Sequence, residues 1–430
     1  MKVTELNLVV KTAKPLIVGF DVSKTRLDFY AELEVDFAGG AAIQTKILEN
    51  SFKNSTKEVE NQLKALEKFA KEHEYAGLHI VCESTGPYAF KLLSLARKLG
   101  HTTAYVSGEA VHKFHVVESN DSGKTDPKDA RVIFLLAKME KTLHHRELEG
   151  EYKQLREFNR IYDYAQSRIT STKCQLHALL QRLFSDYSFE KDFLYSSSGK
   201  ALVQLFKCNP YRIVEEGKEV FSEKMKAVAP LIKKETLERL FKDATYSVLH
   251  EQDKCELEVM EYRLEMFYKE YEIYKRRRAE IKEQMTQIYH QLLEKGENVP
   301  LADKEFCNEF RIARILGETG RITDFKSIRQ LWKFGGLNLR ERKSGNYVGH
   351  VRLSKKGRSS LRLILGEIAF KLVRKHEVFG KYYHQKKEEG MCGTKALAAV
   401  ERKILKAFYG MAKKREGLDK ERLFCCFVRV

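Results

Sequence analysis

Four acidic residues, Asp21, Glu83, Asp126 and Asp129, occupy contexts that can bring their carboxylates to one place. Asp21 closes the apolar run Pro15-Leu16-Ile17-Val18-Gly19-Phe20 and opens Asp21-Val22-Ser23-Lys24. Glu83 closes Leu78-His79-Ile80-Val81-Cys82 and leads into Ser84-Thr85-Gly86-Pro87. Asp126 and Asp129 fall in Lys124-Thr125-Asp126-Pro127-Lys128-Asp129-Ala130, ahead of an apolar stretch with helical character. Carboxylates at strand ends and at a helix start can converge on one edge of a sheet. Hard oxygen ligands gathered there suit Mg²⁺, which takes few protein carboxylates and leaves room for phosphate oxygens. Two such ions about 4 Å apart would polarise a scissile phosphate and stabilise both attacking and leaving oxygens. Lys124 and Lys128 add positive charge beside that substrate. The chemistry implied is metal-dependent work on a phosphodiester. Taken singly, an Asp after a strand is most often a turn residue, and Asp126 is equally well placed to cap the helix that follows. The weight lies in the four together; Asp28 and Asp121 show no comparable context.

The strands and helices around these acids are legible in outline. Strand signals at 15–21, 26–34 and 41–48 form a meander interrupted by Gly39-Gly40. A helical stretch at 56–73 precedes the Glu83 strand, a helix at 87–99 follows it, and Thr102 to Val106 reads as a further short strand. Three antiparallel strands followed by strand–helix–strand units is the order of an α/β, RNase H-like fold. From 151 the period changes. Leu155, Phe158, Tyr162, Ala165, Ile169, Thr172, Leu176, Leu179 and Leu183 alternate at three and four. The alternation returns as Leu257, Met260, Leu264, Phe267, Tyr271, Tyr274, Arg278, Ile281, Met285, Ile288 and Leu292. Such heptads fit a coiled coil, paired as an antiparallel hairpin or with a second chain; they equally fit two helices inside one bundle. Arg278 at a core position, within Lys275-Arg276-Arg277-Arg278, is expected to weaken the seam locally. Residues 186–250 read as short helices forming a cap at the hairpin tip. The expected domains are therefore 1–148, an acid-bearing α/β domain; 149–298, a coiled-coil region with the inserted cap; and 299–430, a mostly helical basic domain.

That last region carries Arg340-Glu341-Arg342-Lys343-Ser344-Gly345-Asn346-Tyr347-Val348-Gly349-His350-Val351-Arg352, then Leu353-Ser354-Lys355-Lys356-Gly357-Arg358. Arg340, Arg342, Lys343, Arg352, Lys355, Lys356 and Arg358 are candidate phosphate contacts, with salt-dependent binding expected. A solvated basic loop is the plainer reading. The 430 residues carry a formal charge of +18, which points to an acidic polymer as partner. Eight cysteines, without a CxxC pair or a zinc spacing, read as mostly buried thiols of a reducing compartment. No signal layout or membrane-length apolar run occurs, so a soluble, cytoplasmic protein with no membrane partner is expected.

These residues carry a resemblance to the DEDD-type transposases of bacterial insertion sequences, the family that includes pilin-gene DNA invertases. It rests on Gly19-Phe20-Asp21-Val22-Ser23-Lys24, Glu83-Ser84-Thr85-Gly86 and Thr125-Asp126-Pro127-Lys128-Asp129-Ala130. A second block comprises Phe325, Gly335-Gly336-Leu337, Arg340, Ser344-Gly345 and Arg352-Leu353-Ser354-Lys355-Lys356-Gly357. The resemblance implies a RuvC-like N-terminal domain, a coiled-coil middle and a C-terminal transposase domain. It assigns the four acids to Mg²⁺ binding, with two ions implied, and Ser344 to nucleophilic attack on DNA. A 5′-phosphoserine intermediate follows, which conserves bond energy for rejoining. The implied partners are donor and target DNA, a guide (bridge) RNA encoded beside the gene, and further copies of the chain as a dimer or tetramer. The implied setting is a bacterial or archaeal cytoplasm, with nucleoid association during transposition. One departure stands out: where members often carry a Pro-Gly-Ile-Gly turn, this chain has Leu301-Ala302-Asp303-Lys304-Glu305. Two readings compete with recombination. One is a RuvC-type junction nuclease in which water attacks and Ser344 only binds; the other is a non-catalytic nucleic-acid-binding assembly protein.

Overall fold

The computed structural model describes residues 14–36, 43–84, 86–119, 126–144, 146–249, 253–341, 343–344, 347–349, 351–419 and 423–424. Asp121, Lys124, Arg342 and Cys425-Cys426 lie outside these, as do the side chains of Asp126, Lys128, Lys343 and Ser344. The chain divides into two compact units, Met1–Glu147 and Leu148–Val430.

The first unit is a six-stranded mixed sheet between two helical layers. Its elements run β1 (Leu16–Val22), β2 (Arg26–Asp36), β3 (Ile43–Lys53), α1 (Thr56–Glu72), β4 (Leu78–Glu83), α2 (Phe90–Lys98), β5 (Thr102–Val106), α3 (Gly108–Ser119), α4 (Asp126–Lys138) and β6 (Leu143–His144). The strand order is β3-β2-β1-β4-β5-β6. β1 to β3 are antiparallel, β4 and β5 run parallel to β1, and β6 returns antiparallel. This is the RNase H-like order expected from the pattern. β3 extends past its expected end because Asn50 to Lys53 continue the ladder against Phe29 to Arg26.

Strand alternation sorts the two faces. Leu16, Val18, Phe20 and Val22 of β1 pack with Leu27, Phe29, Leu63 and Leu92 beneath α1 and α2. The other face carries Ile17, Gly19 and Asp21 of β1, Tyr30 of β2 and Val81 of β4. It is covered by Val111 of α3 and by Ala130, Ile133 and Phe134 of α4. Gly19 is where α4 comes down on the sheet. A Cβ there would stand 2.5 Å from both the Ala130 carbonyl oxygen and the Phe134 nitrogen, so only glycine permits the approach.

The second unit is helical. It contains α5 (Gly150–Leu183), α6 (Ser197–Phe206), α7 (Pro210–Glu215), α8 (Lys218–Val228), α9 (Lys234–Ser247) and α10 (Lys254–Glu294). Then follow α11 (Glu309–Thr319), α12 (Ile328–Phe334), β7 (Leu339–Arg340), β8 (Lys343–Ser344), β9 (Tyr347–Val348), β10 (Arg352–Leu353), α13 (Ser359–Lys375), α14 (Glu377–Glu388) and α15 (Gly393–Lys414). The two heptad segments pair within the chain as an antiparallel hairpin of α5 and α10. Lys295 is bound to Glu151, Arg278 donates to Gln166 at 2.6 Å, Arg168 meets Glu270 at 3.2 Å, and Arg182 is bound to Glu256. Leu155, Ile169, Leu176, Leu183, Leu264, Met285 and Leu292 are buried along the seam. Arg278 therefore keeps its place between the helices through a hydrogen bond to Gln166, a partner that the spacing did not show. One end of the hairpin packs with α6–α9 through Leu202, Phe206, Phe221 and Leu240. The other packs with the C-terminal helices through Leu316, Leu365 and Phe408.

One expectation needs correcting in detail. Of the cysteines described, Cys82, Cys208 and Cys307 are buried but Cys174, Cys255 and Cys392 are exposed, because the latter sit on outer helix faces or a helix start. The segment Leu301 to Glu305 is a turn closed by Asp303, whose Oδ1 accepts from the Glu305 and Phe306 nitrogens at 2.8 Å each. Among the described residues no helix is long and apolar enough to cross a membrane.

Candidate active site

The α4-facing side of the sheet gathers the acids. Phe20 pairs with Cys82 in the parallel β1–β4 ladder, so Asp21 and Glu83, one residue further along, leave the ends of neighbouring strands side by side. Both are half-buried. Across the β1–β2 ladder Asp21 is the direct partner of Asp28, and residues directly opposite share a face. A row of three carboxylates, Asp28–Asp21–Glu83, thus crosses three adjacent strands. Asp28 is 6% exposed and is met by the Arg26 guanidinium at 3.2 Å.

Asp129 approaches the same face from the helix above it. It lies one residue before Ala130, whose backbone sits over Gly19, and it is 6% exposed. Its Oδ1 is hydrogen-bonded to His115 Nε2 of α3. α3 begins directly after β5, with Ser107 Oγ accepting from the Ala110 nitrogen at 3.2 Å. A Cβ on its first residue, Gly108, would fall 2.4 Å from Glu83 Oε1, so the Glu83 carboxylate lies against the start of that helix. A helix N-terminus favours negative charge there. The accumulated charge is felt on the far face of β4: burial first, then Glu83 and Asp21, push the Cys82 thiol up to about 12.

Asp126 opens α4, three residues before Asp129. Among the described residues, no group of three or more His, Cys, Asp or Glu side chains stands ready to hold one ion. The donor set nonetheless fits Mg²⁺ in its chemistry. It is all carboxylate oxygen, it is held on packed elements, and it is a row of like charges whose mutual repulsion a divalent cation would relieve.

Ser344 belongs to the second unit. It ends β8, paired through Tyr347 with β9, and only Gly345 and Asn346 separate the two strands in sequence. In sequence this pair falls between the strands of a separate two-stranded ladder, β7–β10, in which Arg340 faces Arg352 and Leu339 faces Leu353. The β7–β10 ladder is a short β-ribbon, and Ser344 falls in the segment of sequence between its two strands. The base of the ribbon is closed by Ser354 N to Asn338 O at 2.7 Å, Lys355 N to Gly336 O at 3.0 Å and Arg358 N to Phe334 O at 2.8 Å. Arg362 Nη1 donates there to Gly335 O at 2.9 Å and Gly357 O at 3.3 Å. Of the candidate phosphate contacts, Arg340, Arg352, Lys355 and Lys356 are exposed. Arg358 instead turns inward to Glu318 at 3.0 Å. Glu318 belongs to a buried polar network in which Asn159 donates to it at 3.2 Å and Arg314, 1% exposed, reaches Asp163 and Glu367.

Neither Asp28 nor His115 stands out in the sequence as a partner of these acids. The register of β1 on β2 would have exposed the first; nothing local marks the second.

Two family models match the chain. Residues 18–185 match the family model of the IS110 DEDD transposases, described as transposase, and residues 307–384 match the transposase IS116/IS110/IS902 family. Together they span more than half of the chain, in order. The chain belongs to the DEDD-type insertion-sequence transposase family, and is a DNA transposase/recombinase by that membership. No curated protein matches it. Similar solved structures include Thermus thermophilus RuvC, at 15% identity over 30% of this chain and 98% of that one, with a TM-score of 0.21. Another is T. thermophilus RuvC in complex with a Holliday junction substrate, at 14% identity over 30% of this chain and 98% of that one, with a TM-score of 0.19.

Proposed function

We propose that this transposase is a Mg²⁺-dependent, RNA-guided DNA recombinase in which Ser344 is the nucleophile. The observation that carries the metal half of this reading is the convergence of Asp21, Glu83 and Asp129 on one sheet face. With Asp126, they would hold the ion or ions. Bound there, Mg²⁺ would supply charge stabilisation to the attacking and leaving oxygens of the scissile phosphate. Glu83 is steadied by the start of α3 and Asp129 by His115, so the acids stay oriented while substrate enters.

The place of Ser344 in the segment between the two strands of the β7–β10 ribbon, whose Arg340 and Arg352 are exposed, supports its role. Arg340 and Arg352 stand directly opposite one another; like charges so placed repel, and a nucleic-acid backbone between them would relieve the repulsion. Attack by Ser344 Oγ on a DNA phosphorus forms a serine–phosphate ester and breaks the bond to the 3′ oxygen. The serine proton is given up and the 3′ oxygen takes one, leaving a 5′-phosphoserine link and a free 3′ hydroxyl. One ester replaces another, so rejoining needs no ATP. The charge of +18 is compatible with holding RNA and DNA together, and base pairing by a guide would then select the sequence.

The test incubates the chain, its flanking-encoded RNA, labelled candidate DNA and Mg²⁺, comparing the natural chain with Ser344→Ala on a denaturing gel. A covalent protein–DNA adduct that vanishes in the variant is expected. Cleavage without adduct in either protein would instead mean attack by water. Metal-independent binding without cleavage would leave an assembly protein.

A further inference from the structure

One helix touches two of the acids. α3 starts at Gly108, against Glu83, and seven residues later presents His115 to Asp129. Seven residues are two helical turns, so both contacts lie on the same face, together with buried Val111 between them. The outer face is different in kind: His112 and Lys113 are exposed, and Lys113 binds Glu109 at 2.6 Å. His115 is directed inward, its side chain 15% exposed and that of Asp129 8% exposed. Glu83 and Asp129 come from a strand and a helix far apart in sequence, and α3 braces both.

We propose that His115 is a positioning residue for Asp129, holding one carboxylate oxygen so that the group faces the Asp21–Glu83 edge. This deepens the metal reading of the acids and rests on it. A carboxylate on the first turn of a helix has several rotamers open to it, and a fixed donor at one oxygen removes most of them. The entropic cost of ordering the carboxylate is then met during folding rather than when the ion arrives. A purely structural histidine would serve the packing of α3 on α4 and leave ion binding untouched.

The experiment is calorimetric titration of the full chain, free of nucleic acid, with Mn²⁺ as probe, alongside thermal melting without metal. His115→Gln places an amide nitrogen near the reach of Nε2, whereas His115→Asn is too short. Loss of an outer partner of this kind lowers metal affinity on the order of 10–100-fold. That loss is expected for His115→Asn, with His115→Gln recovering most of the affinity and both variants melting together. Equal, undiminished binding by both variants would overturn the proposal, as would equally weak binding accompanied by a common loss of melting temperature. Asp129→Asn is the control on the underlying reading. If it binds Mn²⁺ as the natural chain does, Asp129 is not a ligand, and the assignment of His115 falls with the metal reading rather than on its own.

Discussion

Asp28 stands directly across from Asp21 in the β1–β2 ladder, buried on the face where Glu83 also emerges. Like charges directly opposite one another destabilise a sheet by roughly 0.2–1 kcal/mol. Arg26 offsets part of this, but its side chain is 58% exposed and its pull is screened. Asp28→Asn, which keeps the shape and removes the charge, should therefore raise the metal-free melting temperature and weaken Mn²⁺ binding by lowering the local negative field. Melting and calorimetry on the same preparation check both; a lower melting temperature would show that the pair with Arg26 outweighs the repulsion.

Two glycines near the acids should respond to alanine in opposite ways. At Gly19 the new Cβ meets backbone atoms of Ala130 and Phe134 at 2.5 Å, which cannot rotate aside. Gly19→Ala should cost about 1–3 kcal/mol or more and carry Asp129 away with α4. At Gly108 the obstacle, 2.4 Å away, is the end of the Glu83 side chain, which can swing. Gly108→Ala should melt within about 1 kcal/mol of the natural chain, since alanine suits a helix, yet lose most cleavage because Glu83 is displaced. Denaturant unfolding and a cleavage assay separate the two patterns.

The ribbon base offers a matching test in the second unit. Gly357 has φ of +154°, and a Cβ there would meet Gly336 N and Phe334 O at 2.4 Å. Gly357→Ala should open the clamp that Arg362 holds and shift the ribbon that carries Ser344. A misplacement near 1 Å at a reacting group costs on the order of 100-fold, and adduct yield should fall accordingly. Mn²⁺ binding by the first unit should be unchanged. Adduct formation at the natural level would dissociate the ribbon base from the reaction.

Stability should depend on pH through Glu401. Burial pushes its carboxyl up to about 7, against the opposing pull of Arg362. From the ordinary value of 4.5 up to about 7 the unfolded chain is ionised at this site while the folded chain keeps the proton. The folded state binds more protons, so stability falls as pH rises through that window and levels off above it. With partial solvent access the loss is about 2 kcal/mol. Glu401→Gln should remove this slope, melting near the natural chain at pH 4.5 and above it at pH 8. Parallel melting curves for the two proteins across that range would contradict it.

Period and punctuation along the chain were readable without coordinates. Apolar alternation and runs placed β1, β2, β4 and β5, and the acid ending the runs of β1 and β4 marked the sheet edge where Asp21 and Glu83 lie. Threes and fours placed α5 and α10, because a helix that buries one stripe must repeat it. Those signals are local. Which local pieces meet is settled only by packing: Asp28 with Asp21 through strand register, His115 with Asp129 through the seating of α3 against α4, and Arg358 with Glu318 inside a basic segment that reads as solvent-facing. It also paired the heptads within the chain, where spacing left open whether they pair with each other or with a second chain. A side chain's neighbours across a fold depend on the packing of distant elements, and no spacing along the chain encodes them.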